Sequence, residues 1–285
     1  MSAMQMSATR EIEAGQRFQF GANWARFLSI LDDERIADAE ASIKEILGVA
    51  SLDGLRFLDI GSGSGLFSLA ARRLGATVHS FDFDPQSVAC TQELKRRYFP
   101  ADGAWRVEEG SALDRDYLDT LGEFDVVYSW GVLHHTGAMW LGIENAIRRV
   151  AAERGRLIIA IYNDQGWKSH IWWLVKFFYN HLPRFLKTPF VGVVTATTHF
   201  LAIIKFTIKL EPMTAIAPIF THKRERGMSK KYDRIDWIGG FPYEFVAFET
   251  LRSYLEVRGF SMINAKPTTT LGCNEMALQR SACAE

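Results

Sequence analysis

FLDIGSGSGLFSLA, residues 57–70, runs an apolar strand into three alternating glycines and out into a helix of small and apolar residues. Glycine turns of this kind open βαβ units and let a bound group approach bare backbone. Spacing separates the alternatives. The dinucleotide fingerprint needs a small residue three positions after its second glycine, so that helix and strand can pack closely. Counted from Gly61 and Gly63 that position is Leu66; counted from Gly63 and Gly65 it is Ser68, which misplaces the turn relative to the strand. No Gly-Lys-Ser/Thr follows, which excludes a P-loop. What remains is a backbone opened at Gly61, Gly63 and Gly65 for a bulky, uncharged group.

Outward from this turn, short apolar or β-branched runs recur at Thr77–Phe81, Trp105–Val107, Val126–Ser129 and Leu157–Ile161, with helix-length segments between most of them. Strands alternating with helices predict an α/β fold, a doubly wound and mostly parallel sheet whose ligand sites lie beyond the strands' carboxyl ends. Upstream, residues 17–47 read as helix, because Trp24, Phe27, Leu28 and Leu31, then Ile43, Ile46 and Leu47, sit three and four apart. Downstream, Phe245–Arg258 reads as helix, and residues 260–280 as two strands of a terminal antiparallel hairpin, which makes seven strands in all. Four segments are expected: an N-terminal helical segment (1–50), the core (51–162), a helical insert capping the site (163–243) and a C-terminal helix with hairpin (244–285).

The formal net charge of zero hides an asymmetry. Residues 163–232 hold eleven Lys and Arg against three acids, so a basic insert is set into an acidic body. Residues 188–204 lack charged side chains but include His199 and four threonines, too polar a stretch for a membrane-spanning helix. Cys90, Cys273 and Cys283 are too few and scattered for a disulfide framework, no CxxC pair suggests zinc, and no metal site is expected. The N-terminus lacks a basic segment followed by an apolar core, so a cytoplasmic protein is expected.

LDIGSGSG resembles the first motif of the class I S-adenosylmethionine-dependent methyltransferases, in which a strand ends in an acid and continues G-x-G-x-G. Later stretches follow that family in order. HSFDFDPQSV resembles the end of its second strand, VEEGSALD its third station, FDVVYSWGVLHHT its fourth, and RRVAAERGRLIIAIYN its fifth strand with the preceding helix. The resemblance implies S-adenosylmethionine as cofactor and carries over Asp59, Gly61, Gly63 and Gly65 as the lining of its methionine end. It makes Asp82 the carboxylate that takes both ribose hydroxyls, with Asp84 a poorer candidate, and adds Phe83 and Trp130 to the cofactor site. At the third station Ser111 stands where the family commonly has an acid against the adenine amine, which leaves the backbone of Ala112 to serve there.

Methyl transfer is an in-line displacement at an already activated carbon, so the protein mainly aligns the acceptor, excludes water and, where needed, removes a proton. His135, beyond the fourth strand, is the candidate base; its competing reading is a residue that only shapes its loop. Tyr162, Asn163 and His222 are candidate acceptor contacts, against readings of helix-capping turn for Asn163 and solvated surface for His222. An insert rich in aromatics and lysines suits a lipophilic or anionic small molecule, and its basic flanks equally suit peripheral contact with a membrane through 163–232. Oxygen leads carbon and nitrogen as the methylated atom. RNA methylation, suggested by the basic insert, has no recognisable RNA-binding module or Asn-Pro-Pro-Tyr-like motif behind it, so no nucleic-acid partner is expected; a non-catalytic scaffold retaining the cofactor site is the third reading.

Overall fold

The computed structural model describes residues 10–208 and 237–281, apart from Glu13, Ala22, Asn23, Ala25 and Arg26. Its centre is a seven-stranded sheet in the order β3-β2-β1-β4-β5-β7-β6. The parallel strands are β1 (Arg56–Ile60), β2 (Thr77–Asp82), β3 (Trp105–Glu109), β4 (Val126–Trp130) and β5 (Arg156–Tyr162); β7 (Cys273–Arg280) runs antiparallel to both β5 and β6 (Phe260–Lys266). Helices α1 (Asp33–Leu47), α2 (Leu66–Arg73), α3 (Pro85–Tyr98), α4 (Arg115–Leu121) and α5 (Met139–Ile147) precede β5, and α6 (Trp167–His181), α7 (Arg184–Ile208) and α8 (Phe248–Glu256) follow it.

Both faces of the sheet are buried, as expected where crossover helices cover a parallel sheet. Phe57, Val126 and Ile158 share one cluster with Ile36, Leu69, Leu94 and Trp105; their strand neighbours Leu58, Val127 and Leu157 share the opposite cluster with Phe81, Ile143 and Leu251. Within the hairpin the two strands differ. Met276, Ala277 and Leu278 of β7 are fully buried, whereas β6 alternates between covered and open positions. β7, with the unbroken apolar run Met276–Leu278, takes the interior place beside β5, and β6 forms the edge, where an unpaired ladder meets solvent at least cost.

The N-terminal region is not one helix, contrary to expectation. Asp32 accepts from the backbone N–H of Arg35 at 3.0 Å and starts α1 at Asp33, and Gly48, at φ +65°, ends it. The aspartate caps the orphan donors of the first turn better than a helix running through it could. Upstream, Trp24 N–H reaches Phe20 O and Leu28 N–H reaches Trp24 O, a short helical turn that stops before Asp32 and lies across the carboxyl end of the sheet.

Candidate functional site

The carboxyl ends of β1, β2 and β4 converge on the glycine turn. Gly61, Gly63 and Gly65 have φ of +78°, +55° and +81°, left-handed backbone that glycine enters without steric cost. Close packing fixes two of them as well. A Cβ on Gly61 would stand 2.4 Å from Val132 Cγ1, and one on Gly65 would stand 2.8 Å from the Cα of Thr91. The turn is tied to β2 by Gly61 and Ser62 N–H donating to Phe81 O, and to α3 by a 2.9 Å bond between the Ser62 and Thr91 hydroxyls.

Asp82 closes this turn. Its Oδ2 accepts from Gly63 N–H and its Oδ1 from Asp84 N–H, both at 2.9 Å. A carboxylate offers about four lone-pair positions, so one on each oxygen remains, the complement of a vicinal diol. Burial pushes the acid up to about 6, against the opposing pull of the two backbone donors. Asp84 is used differently: it caps α3 through Gln86 N–H and anchors the N-terminal segment through Gly21 N–H, each at 2.9 Å. Phe83 lies under the Arg17 guanidinium, 4.6 Å from ring centre to Cζ.

Asp59 turns into the protein below the turn. It accepts from Ser68 Oγ, which also bonds the Ser80 hydroxyl at 2.7 Å, and Ser80 in turn accepts from Trp105 Nε1 at 2.9 Å. Desolvation raises Asp59 to about 7, the Ser68 bond opposes this, and the neighbouring Asp82 adds to it. The residue the resemblance assigns to the methionine end is therefore also the head of a buried polar chain joining β1, α2, β2 and β3.

On the far side of the turn, β4 ends at Trp130 and opens at Gly131, where a Cβ would meet nothing within 4 Å. A single 3-10 turn, Leu133–His135, follows. His135 Nδ1 lies 2.6 Å from Pro242 O; a carbonyl only accepts, so Nδ1 carries the hydrogen and Nε2 keeps its lone pair. Burial, then the charge of Lys176, lowers His135 to about 3, with the Pro242 bond opposing and Arg17 adding to the effect. His134 accepts from Tyr162 N–H at 3.3 Å and is held far below the usual histidine range chiefly by burial, with neighbouring His135 and Lys176 acting in the same direction. Both histidines are thus neutral near pH 7. The Tyr162 ring lies tilted against His134, 4.1 Å between centroids, and 5.4 Å from His135.

Not every expected site residue joins this group. The Asn163 side chain donates to Thr268 O at 2.9 Å and accepts from Asn274 Nδ2 at 3.0 Å, so its amide braces the β6–β7 connection. Ser111 Oγ accepts from Leu113 N–H and Ala112 O accepts from Asn145 Nδ2, which builds the turn into α4. His222 lies outside the described residues.

Other residues reach the site from segments that local sequence does not connect to it. Arg17 donates to His135 O at 3.2 Å, Phe20 packs its ring 5.0 Å from His135, and the Trp24 indole lies 3.0 Å from where a Gly63 Cβ would be. Lys176, almost fully buried, donates to Trp237 O and stands over the rings of Tyr162 and Tyr243 at 5.5 and 4.9 Å. The acid-free composition around Lys176 and the aromatic density of residues 17–27 were the available signals.

Comparison with known proteins agrees with this geometry. Residues 58–157 match the family described as "Methyltransferase domain". The chain is 30% identical over 142 residues to the ubiquinone biosynthesis O-methyltransferase of Caulobacter sp. strain K31, covering 48% of this chain and 51% of that one. It is 41% identical over 73 residues to the ribosomal protein L11 methyltransferase of Methylococcus capsulatus, 25% of each chain. The chain thus spans about half or less of these curated relatives. Among solved structures, magnesium protoporphyrin IX methyltransferase from Synechocystis PCC 6803, with bound SAH, superposes at a TM-score of 0.51 over 86% of this chain and 83% of that one. At 16% identity this is a likeness of fold.

Proposed function

We propose that the protein, whose residues 58–157 match the family described as "Methyltransferase domain", transfers a methyl group from S-adenosylmethionine to a small-molecule acceptor in the cytoplasm. The observation that carries this reading is the pairing of Gly63 N–H with an Asp82 carboxylate that retains one acceptor position on each oxygen. Asp82 would hold the two ribose hydroxyls, and the backbone at Gly61–Gly65 would lie against the methionine end. Bound there, the cofactor supplies a methyl carbon already activated by its sulfonium. Arg17, Phe20 and Trp24 close over the turn and would exclude water from the reacting groups.

His135 Nε2 would accept the proton of the acceptor, with Nδ1 fixed by the Pro242 carbonyl. A base held near 3 is a weak one, and proton transfer to it is productive only from a group that is itself acidic. This supports a phenol, an enol or an acceptor arriving as an anion over an aliphatic hydroxyl. Oxygen as the methylated atom accords with the named reaction of the Caulobacter relative, whereas the Methylococcus relative shares only a short stretch of the core. The rings of Tyr162 and Tyr243, with Phe20 beside His135, suit an aromatic acceptor.

The test is an untargeted one. Small molecules, lipids and RNA from a lysate are incubated with protein and methyl-labelled donor, and the labelled fraction is identified. Label in an acidic small molecule supports the proposal; label confined to RNA assigns the alternative; no label with intact donor binding assigns a scaffold.

A further inference from the structure

Helix α6 is inside-out. Its buried residues are Ser169, Lys176, Tyr179 and Asn180, and Asn180 Nδ2 donates to Gly239 O at 2.7 Å on that inner face. Its outer face carries Trp167, Ile171, Leu174 and Phe178, spaced four, three and four apart, with 69, 49, 47 and 55% of each residue's surface exposed. An ordinary surface helix has the reverse pattern. Helix α7 is likewise uncovered: Leu186, Val193, Phe200 and Ile204, seven or four apart, are all exposed, and none of its described side chains is buried. Of nineteen large apolar side chains exposed among the described residues, twelve lie on these two helices, a concentration of the kind found at interaction sites.

The charge pattern selects what covers it. Between Asp164 and Glu211 the sequence contains no Asp or Glu, while Lys168, Lys176, Arg184, Lys187, Lys205 and Lys209 fall in that span. Lys168 and Arg184 are exposed, beside Trp167 and Phe185. A second copy docking by the same patch would bring two basic, acid-free faces together, a like-charge arrangement that a two-fold interface cannot avoid. Nor does the patch cross a bilayer, because no helix among the described residues is long and apolar enough to do so.

We propose that α6 and α7 dock in the plane of an anionic lipid surface, with the apolar stripes in the headgroup–acyl boundary and the basic side chains on lipid phosphates. This inference names a partner for the face beside the proposed acceptor site, and it rests on no step of methyl transfer. Lys176, on the inner face of the same helix, stands over Tyr162, so docking would set the site's wall against the bilayer from which a lipophilic acceptor could be drawn.

The full chain, without donor or acceptor, is sedimented with vesicles of phosphatidylglycerol and phosphatidylcholine, and separately with phosphatidylcholine alone. Partition onto the anionic vesicles is expected, falling on the order of tenfold when salt is raised enough to screen surface charge. The variant Ile171→Ser with Phe178→Ser, and separately Lys168→Glu with Arg184→Glu, are each expected to reduce that partition at least about tenfold with an unchanged circular dichroism spectrum, since all four side chains are exposed. Failure of the wild type to bind anionic vesicles, or binding by both variants equal to wild type, overturns the proposal. A wild-type dimer that the serine variant converts to monomer, with no vesicle binding, overturns it in favour of a second copy.

Discussion

Replacing Asp82 with Asn changes one oxygen of the site's central carboxylate into a donor and removes its charge. In the folded protein the two oxygens accept from Gly63 N–H and Asp84 N–H. Asn offers one acceptor oxygen, so one of these backbone donors loses its partner, at a cost of about 1–3 kcal/mol, and the glycine turn loosens. The ribose hydroxyls lose a charged acceptor, worth about 1–3 kcal/mol more, or roughly 5- to 150-fold in affinity. The charge also carries a pH signature. With Asp82 near 6, about a tenth of the carboxylate is ionised at pH 5 and about nine-tenths at pH 7. If the ionised form holds the diol, wild-type affinity for S-adenosylhomocysteine rises by up to about tenfold between these two pH values, and Asp82→Asn removes that increment. Titration calorimetry at pH 5 and pH 7 on both proteins measures it, and the difference between them cancels Asp59 and the ligand's own groups. The same affinity ratio in variant and wild type, or a variant binding within twofold of wild type at pH 7, would refute the assignment of Asp82.

Three further outcomes follow from the same geometry. Asp59, raised to about 7, favours the folded state most below its unfolded pKa near 4 and loses that contribution as pH rises through 7; Asp59→Asn is therefore expected to stabilise the protein at pH 8 by about 2 kcal/mol or more and to flatten its stability between pH 5 and 8, read by denaturant midpoints. His135→Ala is expected to lower turnover by roughly 10² to 10⁴ with donor affinity nearly intact, and, because His135 stays neutral down to about 3, wild-type turnover should show no histidine limb between pH 5 and 8; stopped-time assays with the identified acceptor check both. Gly65→Ala places a Cβ at φ +81° and 2.8 Å from Thr91 Cα, so about 1–3 kcal/mol of stability and most donor affinity should be lost, measured by thermal unfolding and calorimetry.

Much of the fold was legible because its determinants are local. The alternation of apolar runs with helical spacing carries the parallel sheet, and the three glycines announce a turn at dihedral angles that residues with a Cβ rarely adopt. Asp82, which the family resemblance singles out, stands at the end of β2, one strand from the glycine turn, where parallel register brings Ile60 opposite Phe81. The boundary at Asp32 was missed because apolar residues continue at helical spacing across it, and only the cap bond to Arg35 N–H shows which side the chain chose.

What the sequence by itself determined, then, is the scaffold and the place of the glycine turn, since period, glycine placement and strand order act between near neighbours. Only the tertiary structure decided the rest. It brings Arg17 and Trp24 onto the site from more than a hundred residues before Pro242, sets Lys176 beneath Tyr162 and Tyr243, and spends Asn163 on the β6–β7 connection. It also turned α6 inside out: Trp167, Ile171, Leu174 and Phe178 face outward, because its polar side chains find backbone carbonyls at Trp237 and Gly239 inside. A helix's inner face is chosen by what the rest of the fold offers it, here two carbonyl acceptors returning from more than fifty residues later.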